Sequence, residues 1–211
     1  MADKANTTAV EILARLLEGN RRFAQGRPAQ ADRSPECRRA LAQGQTPVAL
    51  IVTCADSRVS PEYVFDQGLG ELFVVRTAGA LLDAIGAESV RFGFAALKIK
   101  LAIAMGHSGC GAARAALESA PGATADLPAI AAAYAPLVSR LASTNKAAHA
   151  QKLESFDPVL ELVNLSALKT AERLEELAPK PDSTLIVAAR YDLETGLVTL
   201  LKPTLGELGL A

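Results

Sequence analysis

Three short, almost unbroken apolar runs, Val48 to Thr53, Leu72 to Arg76 and Leu101 to Met105, constrain this chain more than any other feature. They lack the alternation of a strand with one wet face, so each predicts a strand covered on both sides. Pro61 to Phe65 and Ile85 to Leu97 lie between them and suit helices. Strands alternating with helices imply an α/β fold with a mostly parallel central sheet flanked by helices. After Cys110 an alanine-rich segment to Leu117 predicts a helix, Ala120 to Ala125 a loop, and Leu127 to Ser143 and Pro158 to Leu177 two further helices. Thr184 to Ala189 and Leu197 to Leu201 complete the pattern as strands around a turn at Asp192 to Gly196.

The N-terminal part reads differently. Thr8 and Glu11 form a capping-box pattern, and Val10, Leu13 and Leu17 with Ile12 and Leu16 build an apolar helical face that runs to about Gly26. Arg27 to Gln45 is polar and broken by Pro28, Pro35 and Gly44, with a short helix expected at Pro35 to Ala42. The expected division is therefore a helical arm and linker over 1–45 and an α/β domain over 46–211. Such an arm has no evident place to bury its apolar face in a compact body, which predicts a homodimer, the alternative being an arm folded over its own sheet.

Half of the 211 residues are apolar, enough for a core without staples, and disorder is excluded as the overall state. Twenty-two basic against 23 acidic residues leave a net charge of −1, which disfavours nucleic acid and anionic membranes as partners. The apolar runs fall far short of the roughly 20 residues that span a bilayer. Three cysteines are an odd number and no signal-peptide core precedes them, so a cytoplasmic protein with reduced thiols is expected.

Cys54 follows the first strand directly, and Gly106-His107-Ser108-Gly109-Cys110 follows the third. Ligands of open parallel sheets bind beyond the carboxyl ends of the strands, so these two loops can share one crevice although 56 positions separate the cysteines. Two thiolates and an imidazole are good zinc ligands, and three protein ligands leave a fourth position open, as in catalytic sites. Cys110 also stands at an expected helix N-terminus, which favours its thiolate. Beside Cys54, Asp56 and Arg58 are spaced to pair. An ionised Asp56 accepts hydrogen bonds and donates none, so it would select a zinc-bound species that still carries hydrogen, as hydroxide does.

Cys54-Ala-Asp-Ser-Arg-Val, Phe65-Asp-Gln-Gly-Leu-Gly, Phe73-Val-Val-Arg-Thr-Ala-Gly and Gly106-His-Ser-Gly-Cys-Gly resemble the signatures of the β-class carbonic anhydrases. Leu17-Glu-Gly-Asn-Arg-Arg-Phe and Tyr191-Asp-Leu-Glu-Thr-Gly-Leu-Val extend the likeness over most of the chain. The resemblance implies Zn2+ held by Cys54, His107 and Cys110, Asp56 and Arg58 as catalytic dyad, and reversible hydration of CO2 to bicarbonate and a proton. It also implies a homodimer, with tetramers common, and in some members a closed form in which the aspartate itself binds zinc. Two thiolates donate more charge than imidazoles, so activity is expected to climb into the alkaline range. Ala80, where the family often has Asn, and Arg190 depart from the pattern. Of the remaining candidates, Gln67 is expected as a turn partner, His149 as a solvated surface residue, Cys37 as a free thiol and Tyr191 in the core or at an interface.

Overall fold

The computed structural model describes residues 7–29, 31–119, 127–150, 156–179 and 184–210. The loop expected at 120–125 and the side chain of His149 lie outside the described residues. Four strands run parallel, β1 (Ala49–Cys54), β2 (Leu72–Thr77), β3 (Leu101–His107) and β4 (Leu185–Tyr191), and β5 (Val198–Lys202) returns antiparallel at one edge. The order across the sheet is β2-β1-β3-β4-β5, so the chain leaves β1 toward one edge and comes back at β3 on the other side. This reversal is a topological switch point, the crevice where open α/β sheets receive ligands.

The helices are α1 (Ala9–Ala24), α2 (Pro35–Leu41), α3 (Pro61–Val64), α4 (Ala84–Ala95), α5 (Gly111–Glu118), α6 (Pro128–Ala150) and α7 (Pro158–Leu177). Helix α6 passes through Pro136 and extends beyond the expected end at Ser143 into an alanine-rich stretch of high helix propensity. Helix α1 carries the capping box, with Thr8 Oγ1 accepting from the Glu11 N–H and Glu11 Oε2 accepting from the Thr8 N–H. Strands β1 and β3 are buried along their whole lengths, which is why they read as unbroken apolar runs.

Strand periodicity divides the core in two. Leu50, Val52, Ala102, Ala104 and Ala188 point to the face covered by α4 and α7. Ile51, Leu101, Ile103, Met105 and Val187 point to the opposite face. The apolar side of α1 covers that second face, with Leu13 and Leu16 fully buried and Ile12 and Leu17 nearly so. The expectation that this side had no home within its own chain is thereby corrected. Two crossover helices stack on one face of the sheet, so the other requires a cover, and α1 supplies it. Each fully buried leucine contributes about 1.5–3 kcal/mol.

The seat of α1 is specific. At Gly19 a Cβ would stand 2.1 Å from the carbonyl oxygen of Phe65, so no other residue permits this approach of α1 to the end of α3. The next residue, buried Asn20, donates from Nδ2 to the carbonyls of Val64 (3.1 Å) and Gly196 (2.8 Å) and accepts at Oδ1 from the Val198 N–H (2.8 Å). Tyr191 lies in the same core, its ring 6.5 Å from that of Phe23.

Candidate metal centre

The switch point brings two strand ends together. Cys54 is the last residue of β1 and His107 the last of β3, its neighbour in the sheet. Ser108 and Gly109 then turn the chain, Gly109 at φ 63°, and Cys110 becomes the N-cap of α5. The three ligand atoms, two sulfurs and an imidazole nitrogen, lie within 4.8 Å of one another, and all three residues are buried.

The imidazole is poised by its own backbone. Nδ1 is 2.9 Å from the carbonyl oxygen of Ser108, an acceptor, so Nδ1 carries the proton and Nε2 presents its lone pair. Nε2 is buried and has no hydrogen-bond partner among the described residues. A bare, buried nitrogen between two sulfurs fits a borderline-soft divalent cation such as zinc in both donor chemistry and need.

The sulfurs are coupled. A hydrogen bond from Cys110 holds the Cys54 thiol far below its ordinary value, against the cost of burial, and the N–H of Gly79 adds to the effect. The thiolate so formed, together with burial, pushes Cys110 up. One proton leaves the pair readily and the second is retained, a charge state that a dication at this point would reverse. The Gly79 N–H donates to Cys54 Sγ at 3.3 Å, and the Gly79 carbonyl accepts from the Tyr134 hydroxyl at 3.0 Å. Gly79 has φ 72°, and a Cβ there would meet the Tyr134 oxygen at 2.6 Å, so glycine is required twice over.

Asp56 does not join the ligand set. Arg58 donates from Nε to Oδ1 (2.9 Å) and from Nη2 to Oδ2 (2.7 Å), and its backbone N–H also reaches Oδ1 (2.9 Å). This grip holds the Asp56 carboxyl well below the usual carboxylate range, with burial opposing it. Oδ2 stands 3.9 Å from His107 Nε2, so the carboxylate borders the ligand cluster while bound to arginine.

The structure brings together all five residues singled out from sequence. It adds Arg76, which donates to the carbonyls of Cys54 (3.1 Å) and Asp56 (2.6 Å) and so straps the loop between ligand and dyad. Gly79, Tyr134 and Ser166 also border the ligand cavity. Arg76 and Gly79 stand within a recognisable motif, but no local signal linked them to Cys54, and Tyr134 and Ser166 come from distant helices. Gln67 bonds its own loop at the carbonyls of Phe65 and Asp66. Arg190 reaches Asn164 of α7 at 3.3 Å. Ala80 has φ 57°, a left-handed conformation that Asn adopts more readily than Ala.

An open parallel sheet with a Cys/His/Cys cluster at its switch point and an Asp–Arg pair beside it defines an α/β protein with a three-ligand metal-type site. The family model for carbonic anhydrase matches residues 49–198. The chain belongs to the carbonic anhydrase family, in its β class. It is 47% identical over 112 residues to carbonic anhydrase 2 of Mycobacterium tuberculosis, covering 53% of this chain and 54% of that protein. To the carbonic anhydrase of Mycolicibacterium smegmatis it is 41% identical over 114 residues, covering 54% of this chain and 55% of the relative. The chain thus spans about half the length of the curated relatives it matches. Among solved structures, the Coccomyxa β-carbonic anhydrase in complex with acetazolamide superposes with a TM-score of 0.59 at 26% identity, over 93% of this chain and 90% of that one. The β-carbonic anhydrase CafA of Aspergillus fumigatus shares the fold, with a TM-score of 0.61 at 22% identity over 90% and 89% of the two chains.

Proposed function

We propose that this chain catalyses the reversible hydration of carbon dioxide to bicarbonate and a proton, with Zn2+ held by Cys54, His107 and Cys110. The observation that carries the reading is the bare Nε2 of His107 between two sulfurs, with a clamped carboxylate 3.9 Å away. When bound, zinc acts as a Lewis acid that makes a hydroxide equivalent available from water near neutral pH. Asp56, ionised and accepting, orients the attacking species by taking a hydrogen bond from it. Arg58 keeps both carboxylate oxygens from the metal position, and Arg76 fixes the backbone from which Asp56 projects. Gly79 steadies the Cys54 thiolate.

Residues 1–45 act in this reading as an arm and linker to the catalytic unit over 46–211, in a cytoplasmic protein that self-associates as a homodimer. No helix among the described residues is long and apolar enough to cross a membrane. Since α1 spends its apolar face within the chain, a second copy would use other apolar surface. Ile85 (75% exposed) and Phe92 (51% exposed) share the outer face of α4, beside Phe73 of edge strand β2.

Stopped-flow measurement of CO2 hydration on zinc-loaded protein tests the proposal, with Asp56→Ala as control. Stoichiometric zinc and hydration that the control loses by orders of magnitude are expected. Zinc-loaded protein that hydrates CO2 no faster than buffer would overturn it.

A further inference from the structure

The buried stripe of α7 includes two polar residues among its apolar ones, Ser166 and Thr170. Thr170 Oγ1 donates to the carbonyl of Ala80 at 3.3 Å. Ser166 is only 4% exposed, and its Oγ has no hydrogen-bond partner among the described residues. A buried hydroxyl left unpaired costs about 1–3 kcal/mol, and alanine would suit the helix better. Serine at this point therefore calls for a further partner.

Its surroundings say which. Ser166 lines the same small cavity as Cys54, His107, Cys110, Gly79 and Tyr134. The cavity measures about 10 Å³, the space of a single water. The Ser166 hydroxyl approaches that of Tyr134 closely enough to ease its ionisation, but the pair lies outside hydrogen-bond geometry and Tyr134 already gives its proton to Gly79. On its other side Ser166 lines a pocket of about 260 Å³ between α6 and α7, with Leu137, Lys169 and Arg173, which gives solvent an approach apart from Asp56.

We propose that Ser166 is an outer-shell hydrogen-bond donor to the metal-binding thiolates, acting through one water held in this cavity. The water accepts from Ser166 Oγ and donates to the sulfur of Cys54 or Cys110. Ser166 makes no direct hydrogen bond to either sulfur, so the bridge is needed. A hydrogen bond on a thiolate draws charge from the sulfur and weakens its donation to the metal, leaving the metal a stronger Lewis acid. Ser166 in this way offsets part of the acidity lost by using two thiolates in place of imidazoles. It is a positioning residue, not a catalytic one, and its role rests on the metal-site reading above.

The test uses the full chain loaded with cobalt(II), whose sulfur-to-cobalt charge-transfer band in the near ultraviolet reports charge on the thiolates without reference to turnover. Ser166→Ala is expected to bind one cobalt and to shift the band to longer wavelength, because an undamped sulfur gives up charge more easily. Ser166→Thr keeps a hydroxyl and is expected to hold the band near its wild-type position. The zinc enzyme carrying Ser166→Ala should also need a higher pH to reach half its maximal activity. Full cobalt binding by Ser166→Ala with an unmoved band would overturn the proposal while leaving the metal site intact. Absence of any sulfur-to-cobalt band in the wild type would instead refute the metal-site reading, and the role of Ser166 with it.

Discussion

Asp56 Oδ2 lies 3.9 Å from His107 Nε2, yet both of its carboxylate oxygens are committed to Arg58. The arginine is the restraint that separates an anion from a position suited to a cation. Removing it as Arg58→Ala is expected to let Asp56 turn onto bound zinc as a fourth protein ligand. CO2 hydration should fall by about 10²- to 10³-fold with zinc retained, and X-ray absorption should gain a carboxylate oxygen in the first coordination sphere. Arg58→Lys should restore part of the rate, since a point charge cannot hold both oxygens. Full activity in Arg58→Ala would refute the restraint.

Loss of a ligand has a different signature. His107→Ala and Cys110→Ser are expected to lower zinc affinity at least tenfold, by a margin like that of outer-shell losses or greater, while circular dichroism keeps its α/β form. The fold should survive because the sheet and its two apolar layers do not depend on the metal. Metal content after dialysis against a chelator, paired with the spectrum, checks this. Unfolding on zinc removal would point to a structural metal.

Asn20 joins three elements with one side chain. Asn20→Ala leaves the Val198 N–H and the carbonyls of Val64 and Gly196 short of a partner in a part-buried site. At about 1 kcal/mol per hydrogen bond, a loss of about 2–4 kcal/mol in urea unfolding is expected. A change below about 0.5 kcal/mol would show that water replaces the side chain freely.

Gly19→Ala probes packing alone. The added methyl would stand 2.1 Å from a backbone oxygen, which cannot rotate away as a side chain can. Despite the better helix propensity of alanine, a net destabilisation of about 1–3 kcal/mol is expected, with α1 exchanging its amide protons faster. An increase in melting temperature would contradict the close approach.

Acid should act on the turn at Asp192. Oδ1 accepts from the Thr195 N–H (2.8 Å), the Thr195 hydroxyl (2.9 Å) and the Glu194 N–H (3.2 Å), and these bonds lower the carboxyl pKa. A pKa depressed by folding contributes stability above the unfolded value of about 3.9 and loses it as pH falls through the folded value. Asp192→Ala is therefore expected to cost under about 1 kcal/mol at pH 7, given its exposure, with the gap to wild type closing as the pH falls below the unfolded value. The same turn is tied to the loop carrying His107 and Cys110 by the Leu193 N–H donating to Ser108 Oγ at 2.9 Å. A gap that persists unchanged in acid would disprove the assignment.

Much of this architecture was legible in the order of residues. Unbroken apolar runs mark β1 and β3 because both faces of those strands are covered, and the turn glycines and the Cys54 and His107 positions follow from where such strands end. Asp56 and Arg58 were legible as a pair because their contact is local. The cover of the second sheet face by α1 was not, since a helix shows its apolar side in sequence but not what will meet it. Nor could sequence place Arg76 on the carbonyls of Cys54 and Asp56, Tyr134 on Gly79, or Ser166 at the ligand cavity. Those contacts span 20 to 112 positions and exist because packing, not periodicity, chooses which distant side chains close around a strand end. Local chemistry is written in the chain, whereas the shell that supports it arises when separate faces are forced to share one interior.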